Sequence, residues 1–175
     1  GTSLLPALSL APTPPANDFR SKDALTSIQE AFPLELRLCD ACGHVQLAHV
    51  VDPESLFTDY VYVSGTSPSF VSHFKSYAGA AWQSAGADNG DLVVDIGSND
   101  GTLLKAFKTL GASVRGIDPA RKIAQAATEA GIPTQCAFFS LDIAKSIRHE
   151  IGQARIITAN NVCAHIDDLQ SVIAA

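Results

Sequence analysis

Neither a basic excess nor a long apolar run is found in this 175-residue sequence. Lys and Arg number 12 against 18 Asp and Glu, for a net charge of −6 and a pI near 5.2. A nucleic-acid backbone is held by a cationic surface, so it is excluded as the main partner. No apolar stretch approaches the roughly 20 residues that span a bilayer, which argues against a membrane partner. The first residues lack the basic start and apolar segment of a secretory signal, and the expected location is cytoplasmic. Cysteine is scarce, with four in the chain. Cys39 and Cys42 form a C-x-x-C pair, whereas Cys136 and Cys163 stand singly in apolar surroundings and read as buried thiols. With 46% apolar residues the chain is able to bury a core, and its length allows one domain plus a small second one.

Two nucleotide-binding signatures are also missing. There is no Gly-Lys-Ser/Thr for a triphosphate, and Asn99 and Asp100 stand where a dinucleotide fingerprint has further glycines. What is present between Asp91 and Pro119 is the underlying architecture. Leu92, Val93, Val94 and Ile96 make an apolar run suited to a buried parallel strand, broken at Gly97-Ser98-Asn99-Asp100-Gly101. Leu103, Leu104, Phe107 and Leu110 then recur at helical spacing up to Gly111, with Ser98, Asn99 and Asp100 as candidate N-caps. A second strand, Ser113 to Ile117, ends in Asp118. This strand, glycine turn, helix, strand, acid order is that of a nucleotide-binding α/β half. Gly97 and Gly101 permit close backbone approach, and Asp118 is placed to accept from both hydroxyls of a ribose. Asp95 and Asp100 make the turn acidic, which repels a pyrophosphate and suits a ligand carrying ammonium and sulfonium groups.

Val93-Val94-Asp95-Ile96-Gly97-Ser98-Asn99-Asp100-Gly101-Thr102-Leu103-Leu104 resembles the first motif of S-adenosylmethionine-dependent methyltransferases. In this spelling it resembles the sugar C-methyltransferases that act on nucleotide-linked keto-deoxysugars and carry an N-terminal zinc-binding domain. The resemblance implies a Rossmann-like class I methyltransferase domain over 85–175, incomplete at its C-terminus because the family's sheet continues with further strands. It also implies S-adenosylmethionine as cofactor and a nucleotide-linked sugar as small-molecule substrate.

Upstream, Pro6, Pro12, Pro14 and Pro15 exclude a helix or central strand from the first 17 residues, leaving an extended lead-in. Leu34, Leu36 and Leu38 alternate with polar residues before Cys39-Asp40-Ala41-Cys42-Gly43, and Val45, Leu47 and Val51 resume the pattern. Two strands flanking C-x-x-C-Gly have the form of a zinc knuckle, whose glycine lets backbone amides point at the sulfurs. One knuckle supplies two ligands where a structural zinc takes four. His44 and His49 are possible additional ligands, although surface histidines are the plainer reading. In the family resembled, a first C-x-x-C precedes a segment like Pro14-Pro15-Ala16-Asn17. That pair would here fall before Gly1, so either the chain is shortened or its metal site has degenerated. Residues 1–52 are accordingly expected to form a partial, ribbon-like zinc domain.

Residues 53–84 read as a linker: a Tyr/Ser/Thr-rich loop, then a helix with Ser67 as N-cap, Pro68 in its first turn, and Phe70, Val71, Phe74, Tyr77, Ala78 and Ala81 at helical spacing. By resemblance the loop lies over the cofactor. Beyond Asp118, a helix stopped by Gly131, a third strand at 134–137, a helix ending at Gly152 and a fourth strand at 155–159 lead into Asn160-Asn161-Val162-Cys163-Ala164-His165-Ile166-Asp167-Asp168. Ligands of open α/β sheets bind at the carboxyl ends of the strands, where this run sits. The resemblance implies that Phe138 or Phe139 packs against an adenine. Expected cofactor-binding residues are Asp95, Gly97, Ser98, Asn99, Gly101, Asp118, Pro119, Phe138, Phe139 and Asn160; expected metal ligands are Cys39 and Cys42. His165, as base or as donor to an enolate oxygen, and Tyr60 are the expected catalytic residues. Two other functions fit the same pattern: O- or N-methylation of another small molecule, and a metal-stabilised cofactor-binding module without turnover.

Overall fold

The computed structural model describes residues 3–166 and 168–175, and the chain divides into two compact units, 1–56 and 57–175. In the first, strands β1 (Leu4–Thr13), β2 (Phe32–Cys39) and β3 (Val45–Leu47) form an antiparallel sheet in the order β1-β2-β3. The lead-in is therefore not merely extended but a paired strand. Its prolines are compatible with this because β1 is an edge, and its pairing with β2 shifts register between Pro6 and Leu8 and again between Leu10 and Thr13. β2 and β3 flank the C-x-x-C turn as expected. The turn closes through Gly43 N–H to Cys39 O at 2.9 Å, with Gly43 at φ +72°.

A short helix, α1 (Pro53–Phe57), precedes a loop and the long helix α2 (Pro68–Ala85). Ser67 Oγ accepts from Phe70 N–H, Pro68 opens the helix, and Gly86 ends it in the left-handed region. Arg155 reaches the carbonyls of Ala85 and Gly86, covering the exposed end of α2.

The second unit is built on a parallel sheet. Its elements run β4 (Leu92–Ile96), α3 (Thr102–Thr109), β5 (Ser113–Ile117), α4 (Arg121–Glu129), β6 (Thr134–Gln135), α5 (Leu141–Glu150), β7 (Ala154–Thr158) and α6 (Leu169–Ala174), with spatial strand order β6-β5-β4-β7. The first strand of this series lies inside, the next two step out to one side and the fourth crosses to the other. That reversal is the switch point of a Rossmann-like α/β sheet. β4 is buried at all five residues, as a strand covered on both faces must be. Val93 and Val114 pack with Leu103, Leu104 and Phe107 of α3 and Phe74 and Ala78 of α2. Leu92, Val94 and Ile117 pack on the other face with Ile147 and Phe139. Leu103, Leu104 and Phe107 are almost wholly buried, each worth about 1.5–3 kcal/mol.

Some local expectations need correction. α3 begins after Gly101, which occupies the N-cap position at φ +73°, while Asp100 supplies a carboxylate oxygen to Thr102 N–H at 3.1 Å. A side chain one residue upstream thus does the capping. β6 has two residues rather than four, because only Thr134 and Gln135 pair with β5. Cys136 and Cys163 are exposed, not buried; they lie on connections beyond the strands, outside both apolar clusters. Among the described residues, no helix is long and apolar enough to cross a membrane.

Candidate active site

The strands β4, β5 and β7 deliver three connections to one edge of the sheet, and a fourth segment lies against all three. The glycine turn after β4 holds Gly97, Asn99 and Gly101 at φ +68°, +50° and +73°. A β-carbon on Gly97 would collide with Val162, and one on Gly101 with Ile132. The approach that these glycines permit is thus filled by two aliphatic side chains.

Asp118, just past β5, is buried and uses both oxygens. Oδ2 accepts from Asn99 N–H at 2.7 Å and Oδ1 from Ala120 N–H at 2.8 Å. Burial raises its pKa, and the two amides oppose that rise. A carboxylate has about four acceptor positions, so the pair of amides leaves it with capacity for hydroxyl donors. Asp95 lies deeper. Its Oδ1 accepts from Thr158 Oγ1 at 2.6 Å, which ties β4 to β7 beneath the turn. Burial raises its pKa to about 7; the Thr158 bond lowers it, and the charge of Asp118 adds to the rise.

Ser98 Oγ and Asn160 Nδ2 are buried without a hydrogen-bond partner among the described residues. Leaving buried polar atoms unpaired costs about 1–3 kcal/mol each. Ser98 follows β4 and Asn160 follows β7, so both orphans belong to the switch-point edge. Orphaned donors on the same edge as a carboxylate with spare capacity fit a polar ligand such as the adenosine portion of the expected cofactor.

The fourth segment is 57–66. Thr58 O accepts from Arg121 N–H at 3.3 Å, at the start of α4. Asn99 Nδ2 donates to Tyr62 O at 2.9 Å, and Asn99 Oδ1 accepts from Ser64 N–H at 2.9 Å. Asp100 Oδ2 accepts from Gly65 N–H at 3.1 Å, and Gly65 has no room for a β-carbon against that carboxylate. Phe57 closes the other end: its ring centroid is 6.1 Å from His165 and 5.9 Å from Tyr60, with Tyr62 a further 6.5 Å from Tyr60. The strap therefore crosses the turn after β4, the start of α4 and the run after β7.

Tyr60 and His165, remote in sequence, are thus brought to one aromatic group through Phe57. Gly97, Ser98, Asn99, Gly101, Asp118 and Pro119 cluster along the connections after β4 and β5, with Asp95 beneath them in β4, and Asn160 follows β7 at the same edge. Phe138 is exposed, whereas Phe139 is packed with Leu92, Val94, Ile117 and Ile147, a core position. Asp167 lies outside the described residues. Sequence pattern gave no reason to single out Phe57 or Thr158 as site residues. Thr158 carried only the cue of a hydroxyl at the end of an apolar strand.

Cys39 is buried and Cys42 exposed in the turn of the first unit. The Cys42 amide, the Cys42 thiol and the Ala41 amide, in that order, lower the Cys39 thiol to about 7. Amides aimed at sulfur suit a thiolate ligand, so the pair fits half of a tetrahedral zinc site. Among the described residues no group of three or more His, Cys, Asp or Glu is placed to hold a metal. His44 and His49 are both exposed, and His49 rests against Phe32 with ring centroids 5.7 Å apart.

Residues 1–57 match the family described as "Putative zinc binding domain". Over 169 residues, 97% of this chain, the sequence is 32% identical to the C-methyltransferase NovU of Streptomyces niveus, of whose length the chain spans 40%. Among solved structures, magnesium protoporphyrin IX methyltransferase (ChlM) from Synechocystis PCC 6803 with bound SAM is 17% identical, with a TM-score of 0.46 over 59% of this chain and 51% of that one. The plantazolicin methyltransferase BpumL in complex with SAH is 16% identical, with a TM-score of 0.42 over 59% and 38%. At these scores it is the strand order itself that establishes the fold. The similarity to NovU thus runs across nearly the whole of this chain, from the C-x-x-C turn through the glycine turn to the run after β7.

Proposed function

We propose that this chain forms the cofactor-binding part of an S-adenosylmethionine-dependent C-methyltransferase acting on a carbon beside the ketone of a nucleotide-linked deoxysugar. The observation that carries this reading is the convergence of Asp118, Ser98 and Asn160 on one sheet edge, with buried donors still unpaired. Asp118 would accept from the ribose hydroxyls, Ser98 and Asn160 would supply polar contacts, and Phe138 would lie against the adenine. When bound, S-adenosylmethionine supplies an electrophilic methyl group. His165 would take the acidic proton beside the ketone or donate to the oxygen that becomes negative, and Tyr60 would offer a hydroxyl to the same substrate. The Phe57 ring lies 5.9 Å from that of Tyr60 and 6.1 Å from that of His165, a proximity that supports a shared place for the two side chains. Cys39 and Cys42 would be two ligands of a structural zinc.

Calorimetric titration of S-adenosylhomocysteine into the wild-type protein tests the reading. Saturable one-to-one binding is expected, and a protein that is folded yet shows no binding heat or competition would overturn it.

A further inference from the structure

The side chain of Asn99 sits at the centre of the site but faces the strap. Nδ2 donates to Tyr62 O and Oδ1 accepts from Ser64 N–H, both at 2.9 Å, so one planar amide engages the backbone on both sides of Val63. Its own N–H meanwhile donates to Asp118 Oδ2 at 2.7 Å. A left-handed φ of +50° at Asn99 directs these groups to opposite tasks, and asparagine tolerates that conformation better than most residues. The result is a continuous hydrogen-bonded path from the acid after β5, through the turn after β4, to the segment that carries Tyr60 and Tyr62.

We infer that Asn99 is a positioning residue that couples occupation of the Asp118 site to the ordering of the 57–66 strap. Its side chain does not contact the cofactor. The inference rests on the cofactor reading above and reassigns one residue within it. A ligand accepting hydrogen bonds from nothing in the strap still orders it, because a hydroxyl held by Asp118 fixes the carboxylate, which fixes the Asn99 amide and hence the orientation of its side chain. Asp100 contributes a parallel grip on Gly65 N–H, but it also caps α3 through Thr102 and so cannot be varied cleanly. Asn99 can be: glycine keeps the left-handed backbone and its N–H to Asp118 while deleting both strap contacts.

The experiment compares wild type and Asn99→Gly by calorimetry with S-adenosylhomocysteine, and by hydrogen exchange of a peptide covering 61–66 with and without that ligand. Wild type should bind and should slow strap exchange by about fivefold or more on binding. Asn99→Gly should still bind, its affinity reduced by no more than about the factor by which the wild-type strap is slowed, yet show no ligand-dependent slowing. Equal slowing in both proteins overturns the coupling. Loss of binding by a folded Asn99→Gly protein also overturns it, because the side chain would then be a cofactor contact. Absence of binding by wild type defeats the cofactor reading instead, so the two failures are distinguishable.

Discussion

Asn99 N–H and Asp118 Oδ2 lie 2.7 Å apart, so the acid that ends β5 also holds the turn that ends β4. An alanine at position 118 would remove that acceptor together with the proposed ribose contact. Asp118→Ala is expected to weaken S-adenosylhomocysteine binding by about tenfold to a hundredfold, equivalent to roughly 1.5–3 kcal/mol. It should also lower the stability of the 57–175 unit, since the buried Ala120 amide and the part-buried Asn99 amide lose their acceptor. Calorimetry reads the first effect and urea denaturation the second; unchanged affinity would remove Asp118 from the binding site.

Asp95 predicts a pH dependence of stability. Its folded pKa of about 7 lies above the ordinary 3.8, so between those values the folded protein holds a proton that the unfolded chain has released. Its contribution is greatest below pH 3.8 and is lost as pH rises through about 7. Asp95→Asn, which keeps an acceptor for Thr158, should therefore gain urea midpoint relative to wild type across that window. Two parallel midpoint curves would show that the carboxyl is ionised in the folded protein.

His165 and Tyr60 flank the same phenylalanine, and the proposed chemistry assigns them to the substrate. In the complete enzyme, His165→Ala should lower turnover by about a hundredfold while leaving S-adenosylhomocysteine affinity within a few fold. Tyr60→Phe should give a smaller loss of the same kind. Near wild-type turnover on a nucleotide-linked keto-sugar by the His165 variant would make that histidine structural.

For the C-x-x-C turn the expected outcome concerns selective protection. Zinc added to the reduced protein should slow alkylation of Cys39 and Cys42 and leave the exposed Cys136 and Cys163 unaffected. Uniform alkylation with and without zinc would mean that the turn needs no metal.

The amino-acid sequence alone marked β4, α3, β5, α4, α5 and β7 around the switch point, whereas β6 is shorter than its pattern suggested and α6 had no reading. Each signal there is local: the apolar run of β4, the helical spacing of α3, and the glycines that end α3 and α4 at φ +100° and +84°. Asp118 and the turn were legible for the same reason, because a strand and its following turn have a fixed spatial relation. β1 was read only as extended, since pairing with β2 is a non-local fact that its prolines obscured. The strap is the clearest case of what tertiary structure decided. Nothing in the periodicity of 57–66 says that Asn99, 35 and 37 residues away from its partners, will hold Ser64 and Tyr62. Phe57 likewise meets Tyr60 through the chain but His165 only through the fold. A hydrogen bond between a side-chain amide and a distant backbone leaves no pattern in sequence; it exists because three strands end at the same edge and a fourth segment has to cross it.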